Sequence, residues 1–352
     1  MRRASLIVSL FLCMPYAGSA QSKPPNGGPD AAEVKRCLEA LKDPDPLKRA
    51  RAAEDLGAMW PPAKEAIEPL AGLLRDGNLE VRRAAAQALS GFGPDAQKVV
   101  PALIDAIGDE DASVSISAGV AVKLAGKGSV EPLRKALGRK EARIRSMAAL
   151  LLGDFGEDAK AALPDLERLL EDPDEHLRQT SARSFAQLGG RSAVAARILC
   201  ESLGADPAAL DGVKLVASQG ELAVPILIDM LSKGSPEAKS AACWALERIG
   251  RKAKDGVPAL GKALADDVQG VRRAAAGALG AIGPDAIETL AKGLKDEDAG
   301  TREACAWSFA AMAKAFGKDA RPAVPFLEAI LGDKAERVRK GAQQALDILK
   351  KE

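Results

Sequence analysis

The chain of 352 residues predicts an all-α fold, an α-solenoid (superhelical array) of about ten antiparallel two-helix repeats. Three observations predict it. First, an Asp is followed six residues later by an Arg at Asp43/Arg49, Asp76/Arg82, Asp172/Arg178, Asp266/Arg272, Asp296/Arg302 and Asp333/Arg339. Second, the Arg opens an alanine-rich stretch closing on Leu and Gly, clearest in Val81-Arg82-Arg83-Ala84-Ala85-Ala86-Gln87-Ala88-Leu89. Third, a short Pro-containing apolar motif precedes the turn in seven of the units. Units of this size bury their apolar faces by stacking and leave one long surface, an architecture that favours binding over catalysis.

Helix A of seven units starts near the proline of Ile67-Glu68-Pro69-Leu70, Val100-Pro101-Ala102-Leu103, Val130-Glu131-Pro132-Leu133, Leu163-Pro164, Val224-Pro225, Val257-Pro258 or Val324-Pro325. In a first helical turn the missing N–H of proline would have no partner anyway. A polar turn such as Arg75-Asp76-Gly77-Asn78 follows, and helix B begins near residue 80 in that unit. Within it Val81, Ala85, Ala88, Leu89 and Phe92 share one face, and Arg83, Gln87 and Ser90 the other. Aromatic residues make up only 3% of the chain, so Ala, Leu and Val must do the packing.

Aligned on the closing helix, the remaining units carry Ser117, Arg145, Asp211 and Lys239 at the Arg position. The two shortest intervals, of 28 residues, run from Ser117 to Arg145 and from Asp211 to Lys239. Both begin where the base is lost, with the linker of Gly93–Ala96 and Gly283–Ala286 trimmed to Gly126-Lys127-Gly128-Ser129 and Ser218-Gln219-Gly220-Glu221. A change of superhelical curvature is expected at both. The Arg145 unit has no acid six residues earlier to pair with.

The pattern Gly-Pro-Asp-Ala, Val-Pro-x-Leu, Leu-x-Asp, Val-Arg-x-Ala-Ala-x-x-Leu-Gly resembles HEAT repeats, in particular the short bacterial HEAT-like repeats named after phycobilisome lyases, over roughly residues 32 to 350. The resemblance implies that Asp43, Arg49, Asp76, Arg82, Asp172, Arg178, Asp266, Arg272, Asp296, Arg302, Asp333 and Arg339 form a structural ladder between adjacent units. It also implies that helix B borders a concave face. On that flank the position of Gln87 is taken by Glu54, Val122, Leu150, Arg183, Val216, Trp244, Gly277, Trp307 and Gln344 in the other units. Trp244 and Trp307 then wall a groove floored by Gly277, with Arg183, Arg248 and Arg273 as polar companions. Trp and Arg are favoured interface anchors. The competing reading has both indoles filling gaps between helices.

At the N-terminus Arg2 and Arg3 precede the apolar run Leu6 to Met14, and Gly18 and Ala20 suit cleavage after Ala20. Residues 1–20 therefore read as a signal peptide, 21–31 as a flexible linker and 32–352 as the solenoid, exported to the periplasm or secreted. No segment approaches the roughly 20 apolar residues of a membrane span. Cleavage would leave 48 basic residues against 49 acidic ones, too balanced for a global nucleic-acid field. Cys37, Cys200, Cys243 and Cys305 lack metal-ligand spacing; three disulfide connectivities are open to them, and packing as small apolar groups is the simpler reading.

Little else carries chemistry. His176, the only histidine, sits in the acidic turn Glu171-Asp172-Pro173-Asp174-Glu175, and comparable turns recur without it at Asp109-Glu110-Asp111 and Asp296-Glu297-Asp298. The iron-binding HEAT-like hydroxylases use repeated His-Glu pairs, which this sequence lacks. The expectation is a non-enzymatic scaffold with no cofactor and no metal, binding a protein or peptide through its concave face. The alternatives are a lyase-like binder of a planar small molecule in the same groove and a passive structural spacer.

Overall fold

The computed structural model describes residues 29–205 and 210–351. The signal-peptide reading of 1–20 and residues 21–28 of the linker lie outside the described residues. The chain falls into two compact units, one reaching Ser184 and one starting at Phe185.

All described regular structure is helical. The first unit holds α1 (Ala31–Ala40), α2 (Pro46–Ala58), α3 (Ile67–Leu73), α4 (Leu79–Ser90), α5 (Val100–Ile107), α6 (Ala112–Leu124), α7 (Val130–Ala136), α8 (Ala142–Asp154), α9 (Leu163–Arg168) and α10 (Glu175–Gln187), which ends across the boundary. The second holds α11 (Ala193–Ala205), α12 (Leu210–Ser218), α13 (Val224–Lys233), α14 (Pro236–Ile249), α15 (Val257–Ala263), α16 (Gln269–Ile282), α17 (Ile287–Gly293), α18 (Ala299–Phe316), α19 (Val324–Ala329) and α20 (Glu336–Leu349). Odd-numbered helices are the A helices of the repeat and even-numbered ones the B helices. Among the described residues no single helix is long and apolar enough to cross a membrane; α12 and α13 reach that composition only together, across a bend of 111°.

Each helix end has a local cause. Side chains of Asp45, Asn78, Asp111, Ser235 and Asp298 accept hydrogen bonds from free N–H groups in the first turns of their B helices. The chain leaves most B helices through a glycine with positive φ, such as Gly93, Gly126, Gly189, Gly220 or Gly283, where a side chain would be strained. These marks correct the sequence alignment. The step of eleven residues from Arg82 to Gly93 recurs from Arg145 to Gly156, Arg178 to Gly189, Lys239 to Gly250 and Arg272 to Gly283. Applied to Gly126 and Gly220, it gives Ser115 rather than Ser117, and position 209, outside the described residues, rather than Asp211. The intervals to the next basic residue become 30, and the 28-residue units vanish.

Linker length follows a different rule from the expected one. After Gly126, Gly189, Gly220 and Gly283 helix A begins within four residues; after Gly93, Gly156, Gly250 and Gly317 it begins seven residues on, past a longer 3-10 segment. Gly283 follows an intact Arg272, so the short linker does not mark loss of the base.

Successive B helices pack directly on one another, α2 on α4 on α6 in the first unit and α14 on α16 on α18 on α20 in the second. Small residues make this possible. A Cβ on Gly57 would lie 2.8 Å from the Cα of Ala88, one on Gly280 3.0 Å from the Cβ of Ser308, and one on Gly341 3.0 Å from the Cβ of Ala306. Larger side chains, among them Leu56, Leu70, Leu89, Leu103, Leu227 and Phe309, fill the space between the A and B layers and are fully buried. Cys37, Cys200, Cys243 and Cys305 are free thiols in this core. Burial pushes Cys200, Cys243 and Cys305 up to about 12, which removes the reactive thiolate.

Arg–Asp rungs join one unit to the next. Arg49 grips both oxygens of Asp76 at 2.9 Å, Arg82 those of Asp109 at 2.7 and 3.3 Å, and Arg302 those of Asp333 at 2.8 and 3.1 Å. Each guanidinium also donates to carbonyls of its own turn, Arg82 to Asp76 O and Arg302 to Asp296 O and Glu297 O. Each carboxylate also accepts the N–H two residues on, as Asp76 does from Asn78 and Asp333 from Ala335. Lys239 replaces Arg in the rung to Asp266 at 2.8 Å. Two details differ from the sequence reading. Arg145 does pair with an acid, Asp172 of the following unit, at 3.3 Å. Arg272 passes Asp296 and reaches Asp298 at 3.0 Å and the Thr301 hydroxyl at 2.8 Å, because Asp298 caps α18 and stands closer to the rung.

Three outcomes are expected. Arg82→Leu removes a half-buried bidentate rung and lowers stability by about 2 kcal/mol in urea melts, whereas Arg337→Ala, which loses a pair with Glu303 that stands mostly in solvent, costs less than about 0.5 kcal/mol; equal losses would refute the ladder. The carboxyls of Asp76, Asp266, Asp298 and Asp333 lie below their ordinary value of 3.8, first because Arg49, Lys239, Arg272 and Arg302 hydrogen-bond to them, Asp298 falling to about 2. Depressed carboxyls stabilise the fold above the unfolded value and lose that contribution as the pH falls through the folded value. Helical circular dichroism should therefore hold at pH 5 and decay between about pH 4 and pH 2, and decay complete by pH 5 would contradict the rungs. Finally, native protein should resist thiol alkylation that proceeds at once in guanidinium.

The exposed face of the B helices

One turn of helix apart, Ser240, Trp244 and Arg248 line the solvent side of α14, with Glu247 beside them. The matching positions are Arg273 and Gly277 on α16, Glu303 and Trp307 on α18, and Lys340 and Gln344 on α20. Trp244 and Trp307 are each 40% exposed although both are large and apolar. Their helices are separated by α16, so at 8–10 Å per packed pair the indoles stand roughly 16–20 Å apart across it. Each indole is thus partly covered by its neighbours and partly open to solvent, while Ala241, Ala242, Cys243, Cys305 and Ala306 are buried in the stack.

Gly277 floors the space only in part. A Cβ there would lie 3.3 Å from Oε2 of Glu247, which leans across from α14. Burial raises the Glu247 carboxyl and Arg248 partly offsets the rise. This carboxylate was not singled out by sequence, because its position depends on a missing Cβ one unit away. Among the described residues neither Arg248 nor Arg273 has a carboxylate within 4.0 Å, which is equally true of Arg251, Arg321 and Arg339 of the same unit, whereas Lys239, Arg272, Arg302 and Arg337 are paired. Arg183 is exposed on α10, in the first unit.

Register correction changes the rest of the flank. Val122 and Val216 are fully buried core residues; Val120 and Lys214 occupy the equivalent accessible positions. Trp60, 72% exposed in the turn after α2, is a third accessible indole that helix periodicity passed over because it lies between helices. His176 is exposed near the start of α10, and among the described residues no group of three or more His, Cys, Asp or Glu side chains is placed to hold a metal ion.

Comparisons with known proteins bear on this arrangement. The chain is 29% identical to the eIF-2-alpha kinase activator GCN1 of Saccharomyces cerevisiae over 145 residues, which is 35% of this chain and 5% of that protein. Among solved structures, that of Kap121p superposes with a TM-score of 0.57 at 12% identity, covering 90% of this chain and 41% of the other. The structure of Kap95p, solved in work on its binding to RanGDP, gives 0.50 at 15% identity, covering 90% and 52%. The chain thus spans only part of each of these proteins, and at such identities the two structures speak for the fold alone. The family model described as HEAT repeats matches residues 34–123, 130–217 and 224–310. Those matches take in most of the helix pairs described above, and the chain belongs to the HEAT-repeat family.

Proposed function

We propose that this chain is an exported, non-enzymatic scaffold that binds a protein or peptide through the solvent face of its B helices in the second unit. The observation that carries the reading is the pair of exposed indoles, Trp244 and Trp307, on helices where Leu246, Phe309 and Met312 are buried. Trp is among the residues most enriched at interface hot spots. Two similar proteins offer a precedent in their names, since GCN1 is called a kinase activator and Kap95p binds RanGDP, so that each acts on another protein.

Export is part of the proposal and rests on Arg2, Arg3, the run Leu6 to Met14 and the small residues up to Ala20. It makes the exported fraction the place to look for a partner.

The test is a pull-down from that fraction with residues 21–352, beside Trp244→Ala/Trp307→Ala checked for unchanged helicity. A bound partner should be lost from the double variant, each truncation costing about 2 kcal/mol of binding. Equal capture by both proteins would refute the site.

A further inference from the structure

In the first unit the grooves between neighbouring A helices are crossed by ion pairs. Arg75, just after α3, reaches Asp105 of α5 at 2.8 Å; Arg139, in the turn after α7, reaches the same Asp105 at 3.0 Å; and Arg134 of α7 reaches Asp165 of α9 at 2.9 Å. In the second unit α13 and α15 pack together, and among the described residues no ion pair joins them.

The fully buried leucines of the A helices give the register, Leu133 and Leu166 on α7 and α9 corresponding to Leu227 and Leu260 on α13 and α15. Arg134 follows the first leucine and Asp165 precedes the second; in those places α13 and α15 carry Ile228 and Ala259. Counted likewise from Leu70 and Leu103, the places of Arg75 and Asp105 hold Ser232 and Lys262. With neither pair present, a half-open cavity of about 380 Å³ lies between the two helices, walled by Pro225, Ile228, Pro258 and Ala259. That volume is at the lower end of small-ligand sites.

Three charged residues line it, Asp229, Asp255 and Lys262. Asp229 is held by Lys233 of its own helix at 2.6 Å. Among the described residues neither Asp255 nor Lys262 has an opposite charge within 4.0 Å. Arg251, Lys252 and Lys254 share the linker with Asp255 and do not line the cavity. Asp255 and Lys262 are seven residues apart, so they lie on one side of α15 with about 10 Å of helix between them. The cavity is thus apolar along its length, negative at one end and positive at the other.

A ligand matching this pattern has an ammonium and a carboxylate about 10 Å apart with apolar groups between. Three residues of extended chain, at about 3.3–3.6 Å each, span that distance. An amphiphile with one charged end would leave either Asp255 or Lys262 against hydrocarbon, which is costly. The open side of the groove leaves outward backbone groups of a peptide in water, and Ser232, whose hydroxyl donates to Asp229 O at 2.8 Å, keeps lone pairs for an inward N–H.

We propose that the cavity between α13 and α15 binds a free tripeptide with apolar side chains, its ammonium on Asp255 and its carboxylate on Lys262. This site uses none of the residues of the indole face and does not rest on the function of that face.

Calorimetric titration with trivaline, trileucine and triproline, each free, N-acetylated or C-amidated, tests it. At least one free tripeptide should bind, and blocking either terminus should weaken it about tenfold. Asp255→Asn should remove the sensitivity to acetylation and Lys262→Gln the sensitivity to amidation. Ile228→Arg/Ala259→Asp, which installs the pair found between α7 and α9, should abolish binding with helicity unchanged, whereas Trp244→Ala/Trp307→Ala should bind as the parent does. Absence of binding by all three free peptides, equal binding of free and blocked forms, or undiminished binding by the Ile228→Arg/Ala259→Asp variant would each overturn the inference and leave the indole face untouched.

Discussion

Everything in this chain depends on how closely neighbouring B helices approach. Gly57 over Ala88, Gly280 over Ser308 and Gly341 over Ala306 bring backbones together at distances where an added methyl would meet atoms 3.0 Å away or less. Dispersion at such contacts is weak per atom and large in sum, and it rewards small residues only where they lie opposite other small residues. That requirement explains the alanine-rich B helices and the low aromatic content, and it leaves few positions where a large side chain is tolerated other than the layer between A and B helices and the solvent face. Indoles at Trp244 and Trp307 are on the second of these because the stacking flanks could not hold them.

The rungs act on the same joint from its edge. One aspartate closes its own turn through the N–H two residues on and also receives the guanidinium of the preceding unit, so turn geometry and unit spacing are set by a single side chain. Where the rung is missing the joint is closed differently. Ser115 stands at the Arg position and turns its hydroxyl to Ile107 O at 2.7 Å, while Arg139, at the Asp position of the next turn, reaches back to Asp105 at 3.0 Å. Further on, the buried amide of Gln219 donates to Gly190 O and accepts from Ser192 N. The ladder is thus one of several ways of tying adjacent turns, and its gaps are not by themselves openings in the structure.

The helix pairs were legible in the sequence because apolar spacing, first-turn prolines and closing glycines all agree in most units. Legibility failed where a single marker was used alone. In the third unit Ser113, Ser115 and Ser117 alternate, and a motif lacking its Arg slides by two residues; the cap of Asp111 and the positive φ of Gly126 place it. The same slip turned Val122 and Val216, both buried, into flank residues. For the exposed face, the indoles were legible since their position is set by helix period alone. The lean of Glu247 over Gly277 was not, since it joins side chains on two helices through an absent Cβ.

One helix, α16, carries both demands, and they fall on different glycines. Gly280 faces α18, where an added Cβ would meet the Cβ and carbonyl oxygen of Ser308 at 3.0 Å, so its size is fixed by stacking. Gly277 faces outward, where the nearest obstacle is the end of the flexible Glu247 side chain at 3.3 Å. Stacking therefore does not require glycine at 277. A residue left small where stacking would admit more lies between two exposed indoles, and what leans over it is the carboxylate of Glu247 from the neighbouring helix.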